Sequence, residues 1–199
     1  MIITKTPFRM SFFGGGTDME EYFRENEGAV LSTTFDKYCY VNVRHLPRFF
    51  DYSTELSYSK TERVTDINDI QHPAIREAMK MLDMREIRLT YEADLPARSG
   101  LGTSSSFAVG MLNAFYALKG KYADKKKLAD EAIYLERVLC NESGGWQDQI
   151  AASFGGFNRI NFGANGYEVC PVIIAPERKK QLNDNLMMFF TGFTRFSSD

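Results

Sequence analysis

The sequence predicts an α+β domain, in which strands and helices contribute to one core. Segments of alternating apolar and polar residues, which are typical of strands, recur along the 199 residues. Segments with apolar residues every three to four positions, which are typical of amphipathic helices, lie between them. Strands distributed among helices favour this class over an all-helical or an all-strand fold.

The first half of the chain is predicted to be rich in strands. The predicted elements are a strand over residues 2–13 that stops at Gly14-Gly15-Gly16, a short helix over 19–24, strands at 30–31 and 37–46, a weaker hairpin within 53–64, a helix over 69–82 and a strand over 85–92. The strand over 85–92 is indicated by the alternation of Ile87, Leu89 and Tyr91.

The second half is predicted to be rich in helices. The predicted elements are a helix from about 104 to 118, a helix from the cap residue Asp124 to about Cys140, a shorter helix opened by Ser143-Gly144-Gly145 and ended by Gly155-Gly156, a strand over 157–162 and a buried strand over 186–190. No repeat, low-complexity tract or clear linker separates these elements.

Composition excludes several classes of protein. A formal net charge of −2 argues against a nucleic-acid-binding protein, which usually carries a basic stripe. Three widely spaced cysteines give no complete disulfide framework and favour a reducing compartment. Neither a signal peptide nor an apolar run of about 20 residues is present, so we expect a cytoplasmic protein without a membrane segment.

The stretch SGLGTSSS, Ser99–Ser106, runs directly into an apolar helix. A glycine-rich backbone can curl into an anion-binding nest, and a helix start adds free N–H groups and the positive end of the dipole. Phosphate is the natural occupant of such a site. A helix N-cap with a flexible lead-in is an equally good explanation of the composition alone, and the stretch does not match the Walker A pattern.

Three motifs, in order, resemble those of the GHMP kinases, the superfamily of galactokinase, homoserine kinase and mevalonate kinase. Pro96–Ser104 is similar to the phosphate-binding motif of that family, and Thr6-Pro7-Phe8-Arg9 through Phe13–Asp18 resembles the amino-terminal substrate motif of its sugar-kinase branch. Ser143–Gln149 is similar to the segment that carries the catalytic aspartate. Within the family, the heptose 7-phosphate kinases look most similar, followed by the fucokinases.

The resemblance implies an ATP-dependent and Mg²⁺-dependent sugar kinase. Asp148 would be the catalytic base or orienting group, with Arg9 as its basic partner, although an ordinary first-turn aspartate and a surface arginine are the plain alternatives. The implied nucleotide-binding residues are Pro96, Arg98, Ser99, Gly100, Leu101, Gly102, Thr103, Ser104 and Ser105. The implied substrate-binding residues are Gly15, Gly16, Thr17, Asp18, Gly145 and Gln147. For Asp18, a helix N-cap is the competing explanation.

Mg²⁺ would be held by Ser104 and Glu136, since magnesium prefers oxygen ligands and keeps several waters. The alternative is that Glu136 lies on the solvated face of its helix with Glu131 and Arg137. A phosphate on the substrate would need a further cationic side chain. The sequence does not distinguish among five candidates, Arg44, Arg48, Arg98, Arg159 and Arg195.

The implied fold is the GHMP amino-terminal domain, a mixed sheet with a left-handed βαβ crossover. We expect this domain over residues 1–180 and the start of a truncated carboxy-terminal domain over 181–199, because the family's third glycine-rich motif is missing. The resemblance therefore leaves catalysis by this stretch alone open, and an uncovered apolar surface would favour self-association.

The expected substrate is a sugar or sugar phosphate. The most specific expectation is transfer of the phosphoryl group to O1 of D-glycero-D-manno-heptose 7-phosphate. A kinase of a free sugar such as fucose or galactose, and a non-catalytic sugar- or nucleotide-binding regulator, are the alternatives.

Overall fold

The computed structural model describes residues 1–96 and 99–189, and its centre is a seven-stranded mixed sheet. The strands are β1 (Ile2–Phe13), β2 (Gly28–His45), β3 (Thr54–Ser57), β4 (Thr61–Val64), β5 (Ile87–Ala93), β6 (Phe157–Gly163) and β7 (Gly166–Pro171). The helices are α1 (Glu20–Phe23), α2 (Pro73–Met81), α3 (Thr103–Leu118), α4 (Lys125–Ile133), α5 (Gln147–Phe154) and α6 (Pro176–Asp184). The α+β class is therefore confirmed.

The long strand β2 organises the sheet. The strand order is β4-β3-β5-β2-β6-β7, and β1 also pairs with β2. Different parts of β2 pair antiparallel with β5 and with β6, which joins the two halves of the sheet. The pair of β3 with β5 is parallel, so the sheet is mixed, as the resemblance implied. The hand of the crossover stays a prediction.

Helix α3 lies at the centre of the core. It packs against β1 and β2 and also against α4 and α5. Its residues from Ser105 to Leu112 are all buried, because the sheet covers one side and the other helices cover the rest. A helix buried in this way can hold its first turn in a fixed position, and that turn carries the glycine-serine loop.

Two expectations for strands require correction. The strands predicted at 30–31 and 37–46 are one continuous strand, β2, because polar residues between them still pair in the sheet. The buried strand predicted over 186–190 is wrong over its described part: Leu186–Phe189 is exposed and irregular, while Phe190 lies outside the described residues. The sequence analysis also missed β7 and α6. All the residues of α6 are exposed, so it has no apolar face to reveal it.

The helix predicted from Asp124 to about Cys140 changes type along its length. Asp124 caps it, accepting from the backbone amide of Lys127 at 2.7 Å. After α4, residues Tyr134–Leu139 form a π-helical segment, in which the amide of Cys140 bonds to the carbonyl of Leu135 at 2.9 Å. Wider π-helical turns rotate the side chains relative to an α-helix and are frequent at functional sites. Glu136 lies in this segment.

No helix among the described residues is long and apolar enough to cross a membrane.

Candidate active site

The end of β1, the glycine-serine loop and the start of α5 meet at one junction, the candidate cleft. Arg9 of β1 donates from Nε to Oδ1 of Asp148 at 2.7 Å and from Nη1 to the carbonyl of Gly100 at 2.8 Å. The amide of Arg9 also donates to the carbonyl of Leu101 at 3.1 Å. Only 14% of the Arg9 side chain and 24% of the Asp148 side chain are exposed, so this pair is held rigidly between two elements.

Gly102 brings the start of α3 against that pair. It has φ +72°, and a Cβ at this position would lie 3.1 Å from Cγ of Arg9 and 3.5 Å from Oδ2 of Asp148. Glycine meets both demands, the left-handed conformation and the close approach. The second carboxylate oxygen of Asp148 therefore lies beside the first turn of α3, where the free backbone amides favour an anion.

Asp18 joins the amino-terminal motif to the start of α5. Its carboxylate is 2% exposed and accepts from the amide of Gly16 at 3.0 Å. It also accepts from the amide of Gln147 at 3.0 Å and from the side chain of Gln147 at 3.1 Å. Glycine is required at position 145, because a Cβ there would lie 1.9 Å from Oδ2 of Asp18. Asp18 thus caps α5 from 129 residues away, and not α1 as the competing explanation held.

Glu136 is buried behind the glycine-serine loop, with only 1% exposed. Its Oε1 accepts from the Ser104 hydroxyl at 2.9 Å, and its Oε2 accepts from the Ser105 hydroxyl at 2.7 Å and from the Gln149 amide. Burial raises the pKa of Glu136, although the hydrogen bonds from Ser105 and Gln149 act in the opposite direction. The alternative of a solvated helix face is therefore wrong for Glu136.

The pair of Glu136 and Ser104 has the chemistry of a magnesium site. Adjacent ligands of an octahedral Mg²⁺ lie about 3 Å apart, and Oε1 of Glu136 lies 2.9 Å from Oγ of Ser104. The Ser104 residue is exposed, so its oxygen is accessible to a ligand. No cluster of three or more His, Cys, Asp or Glu side chains forms among residues 1–96 and 99–189.

The remaining predicted residues are arranged as follows. Thr17 donates to the carbonyl of Gly14 at 2.8 Å and accepts from the amide of Ala29 at 3.1 Å, so its hydroxyl serves the loop itself. A Cβ on Gly15 would lie 3.8 Å from Nε2 of Gln147, which places this glycine at the rim of the cleft. Pro96, Ser99, Leu101 and Thr103 are described, whereas Arg98 lies outside the described residues.

Two side chains of the cleft were missed by sequence reasoning. Ser11 donates to Oε1 of Gln147 at 2.6 Å and so orients that amide toward Asp18. Gln149 is fully buried and donates to Glu136. A signal was present in the sequence, because two amides flank Asp148 in the order Gln-Asp-Gln. A cavity of about 480 Å³, lined mainly by α6, lies outside this constellation.

The sequence of this chain resembles known families and proteins. Residues 70–156 match the model of the GHMP kinases N terminal domain. The whole chain is 32% identical to the D-glycero-alpha-D-manno-heptose 7-phosphate kinase of Campylobacter jejuni and covers 62% of that protein. Over 55% of its length, the chain is 33% identical to the L-fucokinase/L-fucose-1-P guanylyltransferase of Bacteroides fragilis, of which it covers 12%.

Solved structures share the fold. A D-glycero-D-manno-heptose 1-phosphate kinase from Bacteroides thetaiotaomicron superposes with a TM-score of 0.78 at 26% identity, over 88% of this chain and 61% of that one. The galactokinase of Lactococcus lactis, complexed with galactose, superposes with a TM-score of 0.65 at 18% identity, over 87% of this chain and 48% of the galactokinase. The chain thus spans about three fifths of the length of the heptose kinases that it matches.

Proposed function

We propose that this cleft transfers the γ-phosphoryl group of ATP to a sugar hydroxyl, since residues 70–156 match the N-terminal domain of the GHMP kinases. The observation that carries the proposal is the convergence of Arg9, Asp148 and Gly102. A charged pair fixed at 2.7 Å lies against the start of a buried helix, so an acceptor hydroxyl and a phosphate could meet there.

Asp148 is the group that would receive or orient the sugar hydroxyl. Arg9 donates to Oδ1, whereas Oδ2, on the side of Gly102, has no hydrogen-bond donor among residues 1–96 and 99–189 and would accept from the substrate. As the hydroxyl oxygen bonds to the γ-phosphorus and the bond to the leaving ADP breaks, the hydroxyl proton passes to Asp148. Arg9 cannot accept a proton, because a guanidinium stays charged, but it keeps the carboxylate in place.

The nucleotide phosphates would bind the first turn of α3 and the loop from Ser99 to Ser105. Free amides and the helix dipole there stabilise negative charge. Glu136 and Ser104 would hold Mg²⁺, which when bound neutralises charge on the phosphate oxygens. Because these two oxygens already lie together, the chain needs no large rearrangement of this site.

The sugar would bind at Gly15, Gly16, Gly145 and Gln147. Gly16 and Gln147 donate to the Asp18 carboxylate, Gly145 packs against it, and Gly15 lies beside the Gln147 side chain. The named relatives favour a heptose phosphate, with transfer to O1 of a heptose 7-phosphate as the finer proposal. The names of the two heptose kinases differ in the position of the phosphate, which is at carbon 7 in one and at carbon 1 in the other. Both compounds therefore belong in the test.

The test is a coupled assay of ADP release by the full chain with Mg·ATP. D-glycero-D-manno-heptose 7-phosphate, the 1-phosphate, fucose and galactose serve as acceptors, and water alone serves as the blank. We expect turnover above the blank with the 7-phosphate. Turnover with fucose or galactose would instead favour the kinase of a free sugar.

Calorimetry separates the remaining alternative. Binding of Mg·ADP and of a heptose phosphate without any ADP release would support a ligand-binding regulator. Failure to bind any nucleotide would contradict the proposal altogether, because the start of α3 is the feature on which it depends.

A further inference from the structure

The Gln-Asp-Gln tripeptide at the start of α5 connects three separate parts of the cleft. Gln147 bonds to Asp18, Asp148 bonds to Arg9, and Gln149 bonds to Glu136. Residues 147 to 149 thus each contact a different charged group. The first two were expected from sequence to serve the cleft, and the third has no assigned role.

Gln149 holds one side of the Glu136 carboxylate. It is fully buried, and its Nε2 donates to Oε2 of Glu136. The reverse orientation of the amide would set its oxygen against that carboxylate. Ser105, which is 3% exposed, donates to the same oxygen at 2.7 Å. Both donors to Oε2 are therefore closed off from solvent.

The other oxygen of Glu136 faces an exposed residue. Oε1 contacts Ser104, whose residue is exposed at the start of α3. A hydroxyl can rotate and either donate or accept, whereas the amide N–H of a buried glutamine has a fixed direction. The fixed donor on Oε2 thus determines which oxygen is left for a ligand beside Ser104.

The amide of Gln149 is incompletely satisfied, which argues against a role in stability alone. Its Oε1 is buried and finds no hydrogen-bond partner among residues 1–96 and 99–189. A buried unpaired carbonyl is costly, and an apolar side chain would fill the same space without that cost. The amide is therefore explained by what its Nε2 does for Glu136.

We propose that Gln149 is a positioning residue for the phosphate-bound metal: it fixes Glu136 so that Oε1, beside Ser104, is presented to a divalent cation. This inference rests on the proposed function. Residues that orient a metal ligand from behind affect metal affinity by about 10-fold to 100-fold when they are changed. Gln149 also links the metal ligand to Asp148, its neighbour in the same helical turn.

The test compares Gln149→Met with Gln147→Met in the full chain. Both changes replace a glutamine in the first turn of α5 by methionine, which has a similar length. Gln147, however, contacts Asp18 and not Glu136. Mn²⁺ replaces Mg²⁺, so that electron paramagnetic resonance reports free Mn²⁺ during titration in the presence of ADP. Binding of ADP in EDTA is measured in parallel by calorimetry.

We expect Gln149→Met to weaken Mn²⁺ binding by about 10-fold or more, with ADP affinity in EDTA unchanged within about two-fold. Gln147→Met should leave Mn²⁺ affinity within about two-fold of the parent chain. Equal Mn²⁺ affinity in Gln149→Met and the parent would overturn the inference. An equal loss of ADP binding with and without metal would also overturn it, because it would indicate a general structural defect.

Gln149→Asn is the second variant, for the case in which the methionine does not fold. It keeps a polar amide but is one methylene too short to reach Glu136, so the same loss of Mn²⁺ affinity is expected, and unchanged affinity would again overturn the inference. If the parent chain binds no Mn²⁺ with ADP, the proposed function fails and this inference fails with it. If the parent binds and the variants bind equally, the inference alone fails.

Discussion

Two buried glutamates, Glu136 in the cleft and Glu55 on β3, lie in opposite electrostatic surroundings. Glu55 is 5% exposed and accepts from Arg63 at 3.0 Å, from Arg88 at 2.7 Å and from the Tyr52 hydroxyl at 2.9 Å. Glu136 is 1% exposed and has neutral donors, with a guanidinium nitrogen of Arg137 no nearer than 4.0 Å.

The pKa shifts of the two carboxyls have opposite directions for this reason. Burial acts to raise the pKa of Glu55, but the hydrogen bonds from Tyr52 and Arg63 and the charge of Arg88 outweigh it and lower the pKa. Burial raises the pKa of Glu136, and its neutral donors do not reverse this. A carboxylate that is neutralised by its own neighbours stabilises the fold, whereas one left without a cation is suited to bind one from solution.

The largest effect is expected in the cleft, at Asp148. Asp148→Asn removes the proton acceptor while keeping the shape, so ADP release should fall by about 100-fold or more. The affinity for Mg·ADP should stay within a few-fold, because the start of α3 is unchanged. Glu55→Gln is the matched control and should retain turnover. Unchanged turnover in Asp148→Asn would remove this residue from its proposed role.

The next largest effect concerns stability, and it should separate the two glutamates. Glu55→Gln leaves two arginines without their shared anion, so the free energy of unfolding should fall by about 1–3 kcal/mol. Glu136→Gln in EDTA removes a buried charge that has no close cation, so the loss should be below about 1 kcal/mol.

Urea unfolding at pH 7, with EDTA present, measures both variants. The comparison between the glutamates would be contradicted if Glu136→Gln proved the more destabilising of the two. Mn²⁺ binding in the same samples provides the complement, since Glu136→Gln should lose it and Glu55→Gln should keep it.

A smaller effect is expected on the pH dependence of stability. The folded pKa of Glu55 is lowered from 4.5, so its contribution is present above pH 4.5 and is lost as the pH falls through the folded pKa. The difference in unfolding free energy between the parent and Glu55→Gln should therefore shrink as the pH falls from about 6 to about 3. Urea unfolding across that range measures it, and a constant difference would show that the ion pairs of Glu55 contribute nothing.

The smallest effect is expected at an exposed carboxylate, which completes the series. Glu20 pairs with Arg24 one turn along the chain, and 43% and 55% of the two side chains are exposed. Arg24→Ala should change the free energy of unfolding by only about 0.3–0.5 kcal/mol, and less at high salt. A loss above about 1 kcal/mol in thermal unfolding would mean that burial does not separate these carboxylates as argued above.

Most of the fold could be predicted from local patterns. The first strand and the buried helix α3 have clear periodicity, and their predictions are confirmed. The weaker prediction of a hairpin is confirmed as well, by β3 and β4. The polar helix α6 was missed, because no apolar stripe records its position. The boundary between two predicted strands in β2 was wrong, since pairing on both edges holds polar residues in the sheet.

The candidate site was predicted in part. The motifs predicted that Arg9, Asp148 and the glycine-serine loop belong to one site, and the structure brings these residues together. The burial of Asp18 and the partner of Gln149 were not predictable in the same way. Asp18 meets Gln147 from 129 positions away, and a contact of that range leaves no periodic signal in a single sequence.

By itself, the sequence determined the elements and the chemical groups available to them, because periodicity and turn residues act over a few positions. The tertiary structure alone decided which carboxylate is paired with arginines and which accepts hydrogen bonds from neutral donors. Glu55 and Glu136 are the same residue type, and no local pattern distinguishes them. Their difference arises from side chains brought in by neighbouring strands and helices, since the charge state of a buried group depends on what surrounds it.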